Sequence, residues 1–157
     1  MKLLSVKNLF LSLLLSVGAQ TAIAQVSFIK EMGSAGGMTT VNISTTVLQL
    51  KGTMSEDNSL PDSILDKIEN IQLLKLTHDA TRQMMGKFNG LLARHHFAEM
   101  LEINKEGTHS VIYKSEYSSG LTQLVLVKQN NSRTDITVLT GRLTLQDIQQ
   151  LKAFKEQ

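Results

Sequence analysis

Imidazoles and carboxylates are the groups that hold metal ions and move protons near neutral pH. Only one short stretch of this chain gathers them: His95, His96 and Glu99. On a continuous helix His95 and Glu99 would share a face at the i, i+4 spacing, while His96 would point away. The favoured reading is that a helix ends here, with both histidines near its negative C-terminus, where a protonated imidazole is stabilised. Zinc asks for three or four converging ligands, and His78 and His109 lie too far along the chain to be placed by sequence. No metal site is expected, and His95, His96 and Glu99 stand as weak candidates for one.

Other chemistry finds less to work with. A hydrolytic triad needs a serine, a base and an orienting acid that meet in space. The chain has no Gly-x-Ser-x-Gly elbow, and its four histidines have no recognisable setting. Glu99 and Glu102 are placed on opposite or offset faces of a strand, which keeps a carboxylate pair from cooperating. Gly33-Ser34-Ala35-Gly36-Gly37 is a flexible break. It lacks the pattern and the following lysine of a phosphate cradle. Cysteine is absent, which excludes disulfides, thiol nucleophiles, Cys-ligated metals and a lipidated N-terminal cysteine. No catalytic residue and no cofactor is therefore expected. Asp62-Ser63-Ile64 fits a short O-glycosylation signal at Ser63, and an ordinary helix N-terminus explains it equally well.

The elements that would position any site are clearest from Phe97 to Phe154. Met100–Asn104, Ser110–Lys114, Leu121–Lys128 and Asp135–Thr140 are rich in Val, Ile, Leu, Tyr and Thr, as half-buried strands are. Lys105-Glu106-Gly107, Ser118-Ser119-Gly120 and Asn130-Asn131-Ser132 separate them. Links this short force antiparallel pairing, because a parallel return needs a dozen or more residues. The expectation is a four-stranded meander. In its third strand Leu124 and Leu126 point one way and Val125 and Val127 the other, which places it inside the sheet. Gly141 ends the last strand and Thr144-Leu145-Gln146-Asp147 resembles a capping box. Leu145, Ile148, Leu151 and Phe154 then make the apolar side of a closing helix.

Upstream, Val26–Met32 is a short amphipathic segment, Met38–Ile43 a strand, and Thr45–Leu50 either helix or strand. Gly52–Ser59 reads as an exposed loop, and Pro61 opens a helix whose buried side is Leu60, Ile64, Leu65 and Ile68. Ile71–Leu76 is a nearly continuous apolar strand. A longer helix runs from Asp79 to about Arg94 with Ala80, Met84, Phe88, Leu91 and Leu92 on one stripe. Gly86 and Gly90, one turn apart on it, are expected to let a neighbouring backbone approach. The sum is an α+β domain, a largely antiparallel sheet with helices packed on one face.

The first 24 residues read as a leader. Lys2 and Lys7 make its positive end, Leu9–Val17 an apolar core too short to span a bilayer, and Ala22-Ile23-Ala24 a cleavage box. Cleavage between Ala24 and Gln25 would leave residues 25–157 as a single domain. Its 14 basic residues then balance its 14 acidic ones, so the basic pI of the precursor does not argue for a nucleic-acid partner. The expected location is periplasmic or secreted, without stable membrane insertion after cleavage.

Three stretches carry a family resemblance: Met38-Thr-Thr-Val-Asn-Ile-Ser-Thr, Leu65-Asp-Lys-Ile-Glu-Asn-Ile-Gln-Leu-Leu-Lys-Leu and Leu139-Thr-Gly-Arg-Leu-Thr-Leu-Gln-Asp-Ile-Gln-Gln-Leu. With them the chain resembles domain of unknown function 4252, a family of small exported Bacteroidetes proteins. The matched positions are core residues, glycines and caps. Two places depart from the pattern, Thr45-Thr46-Val47 after the first strand and His95-His96-Phe97, where relatives tend to have Lys-Gly-Tyr. The resemblance implies export and an α+β fold, and it brings no activity or catalytic residues. The function expected is a non-enzymatic envelope module that binds a protein, peptide or small ligand on its sheet or at an exposed sheet edge. The alternative is a metal-dependent or hydrolytic envelope enzyme using His95, His96 and Glu99. A regulatory partner of an inner-membrane signalling protein is a third form of the same binding idea.

Overall fold

The computed structural model describes residues 27–44, 62–117 and 119–155. The cleavage box, Thr45–Leu50, the loop before Pro61 and Pro61 itself lie outside them, as do the side chains of Leu151 and Phe154. In chain order the elements are α1 (Phe28–Met32), β1 (Met38–Ser44), α2 (Asp62–Leu65), β2 (Ile68–Thr77) and α3 (His78–Arg94). They continue with β3 (Ala98–Lys105), β4 (Thr108–Glu116), β5 (Thr122–Gln129), β6 (Arg133–Gly141) and α4 (Leu145–Lys155).

The meander forms as its turns require. Glu106 and Gly107 both have positive φ, 51° and 76°, in the two-residue link between paired Lys105 and Thr108. That is the signature of a type I′ hairpin turn, whose twist matches that of the strands. Between β5 and β6 the Asn130 side-chain oxygen accepts from the backbone N–H of Ser132 and of Arg133, at 2.9 and 3.0 Å. This local bond is why Asn starts so many turns. The six strands then assemble in the order β1-β2-β6-β5-β4-β3, every pair antiparallel. The hairpin β1-β2 joins the meander along its last strand, so β2 and β6 pair residues far apart in sequence, from Thr77 with Arg133 to Ile68 with Gly141.

Strand β5 is buried on both faces, and it separates two cores. Val125 and Val127 face Leu74, Leu76, Ile136 and Val138, over which α1 and α3 lie through Phe28, Met32, Ala80, Met84, Phe88, Leu91 and Leu92. Leu124 and Leu126 face Ile71, Ile112 and Leu139, covered by Ile64 of α2, Leu143 and Ile148 of α4. The α+β class and the antiparallel sheet stand. The placement of helices on one face is corrected: they divide between the two. A strand apolar on both sides demands cover on both, and α2 and α4 supply the second cover.

Ile68 is buried from the first position of β2, because α2 is a single turn that ends at Leu65. Leu145 is 58% exposed. It sits roughly 200° round the helix from Asp147, and the capping box turns Asp147 and Ile148 inward. Gly86 and Gly90 face open space, with nothing within 4 Å of a Cβ at either position, so no backbone approaches them. Close approach occurs instead at Gly141, where a Cβ would stand 2.2 Å from the Lys67 carbonyl oxygen.

Candidate functional site

Helix α3 carries the candidate histidines at its end. Thr77 caps its start, accepting from the Ala80 N–H at 3.3 Å, and the helix then runs to Arg94. Beyond it the Phe97 N–H donates to the Leu92 carbonyl at 3.0 Å and the His96 N–H to that of Ala93 at 3.3 Å. This pair of bonds is a Schellman closure, which requires a left-handed residue just past the cap. That residue is His96, with φ of 57°. The closure sends Phe97 back onto Phe28, ring centroids 5.6 Å apart and nearly edge-on.

The structure thus parts the three residues. The main chain of His95 serves the helix end, its carbonyl accepting from Ser115 Oγ at 3.1 Å. His96 is exposed and borders an open depression of about 260 Å³ with Ala98, Met100, Lys114, Ser115 and Glu116. Glu99 stands opposite Tyr113 on the α3 side of the sheet. Among the described residues no group of three or more His, Asp or Glu is arranged to hold a metal. Ser63, the glycosylation candidate, is exposed on α2.

One relationship that periodicity misses is the pair Glu99 and Glu102. Residues three apart on a regular strand face opposite ways. Here a bulge at Met100 inserts an extra residue, so Glu99 pairs with Tyr113 and Glu102 with Val111, two positions apart on the same side. Both carboxylates therefore lie on the same side of the sheet as Tyr113, and their charges act on its phenol. Burial raises the phenol above its ordinary pKa, and the charges of Glu99 and Glu102 raise it further. Glu102 also meets His109 at 2.7 Å in an exposed contact. No signal short of the strand register would have shown the bulge.

The two sheet edges differ sharply. Strand β3 is bulged and carries Glu99, Glu102 and Lys105, devices that discourage another chain from pairing. Strand β1 has none of them. Its seven residues, Met38-Thr-Thr-Val-Asn-Ile-Ser, pair with β2 in unbroken register from Met38↔Leu76 to Ser44↔Asn70. They include no charge and no proline, and Thr39, Thr40, Val41 and Asn42 are exposed. Val41, 43% exposed, is an apolar side chain in water beside Leu73.

Gly37 sets where this edge begins. It has φ of 80°, and its carbonyl accepts from the Thr77 N–H at 2.9 Å. The chain thereby leaves the glycine loop directly into pairing with β2. Residues 34–151, which include the whole sheet and most of α4, match the family model described as Domain of unknown function (DUF4252). The chain belongs to this family. DUF4252 thus takes in both edges, the bulge and the cap of α4, and leaves α1 outside the match. No curated protein and no solved structure matches the chain. Among the described residues no helix is long and apolar enough to cross a membrane.

Proposed function

We propose that this member of DUF4252 is a non-enzymatic module of the bacterial envelope, periplasmic or secreted after cleavage between Ala24 and Gln25, that captures an extended polypeptide segment along β1. The observation that carries the reading is the open, uncharged seven-residue edge at Met38–Ser44. An unpaired strand edge offers a row of N–H and C=O groups to an incoming strand, and alternate side chains then select its sequence. Binding on a face of the sheet draws no support from the geometry, since both faces carry a core. The edge does.

The enzyme alternative draws nothing from the geometry, because His95, His96 and Glu99 serve different surroundings. A displayed library of short peptides, selected on the immobilised mature protein, tests the binding reading. Enriched peptides are expected to slow amide hydrogen exchange across residues 38–44, and Asn42→Pro is expected to abolish their capture. Selection that yields no peptide protecting these amides would remove it. Export is checked separately by N-terminal sequencing of the envelope form, which is expected to begin at Gln25. Intact mass decides whether Ser63 carries a glycan.

A further inference from the structure

We infer that the strand β1 accepts is β1 of a second copy, in a two-fold antiparallel pairing centred on Val41. The inference rests on the edge-binding reading above and narrows its partner. A two-fold contact must be self-complementary, each patch meeting its own copy. Centred on Val41, the register brings Val41 against Val41 of the other copy, Thr39 against Ile43, Thr40 against Asn42 and Met38 against Ser44.

Those pairs sort correctly by face. Val41 and Ile43 lie on the side of Leu73 and Ile71, so pairing extends an apolar row from each sheet into the next. Thr40 and Asn42 lie on the other side, with Leu74 and Gln72. The Asn42 side-chain oxygen accepts from Asn70 at 2.7 Å, which leaves its amide N–H groups for the hydroxyl of Thr40 across the axis. Like charges directly opposite would forbid self-pairing, and β1 has no charge.

The surroundings agree. Exposure of Thr40 and Asn42 on one face and of Thr39 and Val41 on the other means that none of the described residues overhangs the edge. The opposite edge, β3, is bulged and charged. A β1-to-β3 contact repeating from copy to copy is therefore disfavoured, and the assembly closes as a dimer with a continuous twelve-stranded sheet. Seven residues per copy bury less than the roughly 1,200 Å² of a stable interface. The dimer is accordingly a concentration-dependent one.

Sedimentation equilibrium of the mature protein over a concentration series tests this, with Val41→Lys and Val41→Glu alongside. Val41 is exposed, so both variants are expected to fold, and thermal melts followed by circular dichroism check it. Wild type is expected to show a monomer–dimer equilibrium, and each variant alone to dissociate at least roughly tenfold more readily. An equimolar mixture of the two is expected to recover association, since Lys and Glu then face each other. A wild type that stays monomeric, variants that associate as wild type does, or a mixture that fails to recover would each overturn the inference. A monomeric wild type that still captures peptides along residues 38–44 would leave the edge-binding function in place.

Discussion

The Lys67 ammonium lies 2.8 and 2.9 Å from the two carboxylate oxygens of Asp147, tying the turn before β2 to the first turn of α4. Asp147 does two jobs at once. It also accepts from the Thr144 N–H at 2.7 Å, while its own N–H donates back to Thr144 Oγ1 at 3.3 Å, completing a capping box with Asp in the place of Glu. The Lys67 contact first, and then the Thr144 N–H, hold the Asp147 carboxyl below its ordinary pKa. Folding therefore favours the ionised form.

Asp147→Ala is expected to lower stability by about 1–2 kcal/mol at neutral pH. Most of that is the helix cap, because Lys67 keeps 40% of its side chain in water and its charge is screened. A depressed carboxylate contributes fully above the unfolded range near pH 4, and the contribution drains away as pH falls through the lower folded value. The difference between wild type and variant in urea midpoint should thus be constant from pH 6 to 8 and shrink in acid. A gap that widened in acid would contradict the ionised assignment.

Glycines at different places should respond with opposite signs. Gly86→Ala and Gly90→Ala, on the open side of α3, are each expected to stabilise by up to about 1 kcal/mol. Gly141→Ala must push the Lys67 carbonyl aside and is expected to cost about 1–3 kcal/mol. Chemical denaturation of the three variants reads the comparison directly.

His96 carries the left-handed position that closes α3, a conformation costing a side-chain-bearing residue about 1 kcal/mol. His96→Gly is expected to raise the melting temperature. Isothermal titration of the wild type with zinc is expected to show no specific heat. Saturable binding lost in His96→Gly would revive the metal reading.

Glu106 occupies the first positive-φ position of the β3-β4 turn. Glu106→Asn, giving Asn-Gly, is expected to stabilise by several tenths of a kcal/mol or more, on the order of the turn preference. Thermal unfolding of this variant checks the turn type independently of the helices.

The parts of the fold that repeat locally were readable in the sequence. Four strands with short turns, the α3 stripe and the Thr144 cap all declare themselves within a few residues of one another. The division of the helices was half legible: Leu124, Leu126, Val125 and Val127 announce a strand buried on both faces, which already asks for two covers. The pairing of β2 with β6 was not, because nothing local links Ile71 to Leu139. That pairing decides which strands are edges. Hence the uncharged run at Met38–Ser44 acquires meaning only once it is known to be outermost. The bulge at Met100 escaped for the same reason, since a one-residue slip reverses which face Glu102 occupies.

The union of β2 with β6 has a temporal consequence. During synthesis the early hairpin must wait for residues 133–141 before it gains its second neighbour, and the intervening strands gain nothing from it until then. Contacts of such long span make completion of the sheet a late, all-together event. A chain lacking its last strand would stay open along the middle, so the emerging polypeptide remains threadable until almost its whole length exists.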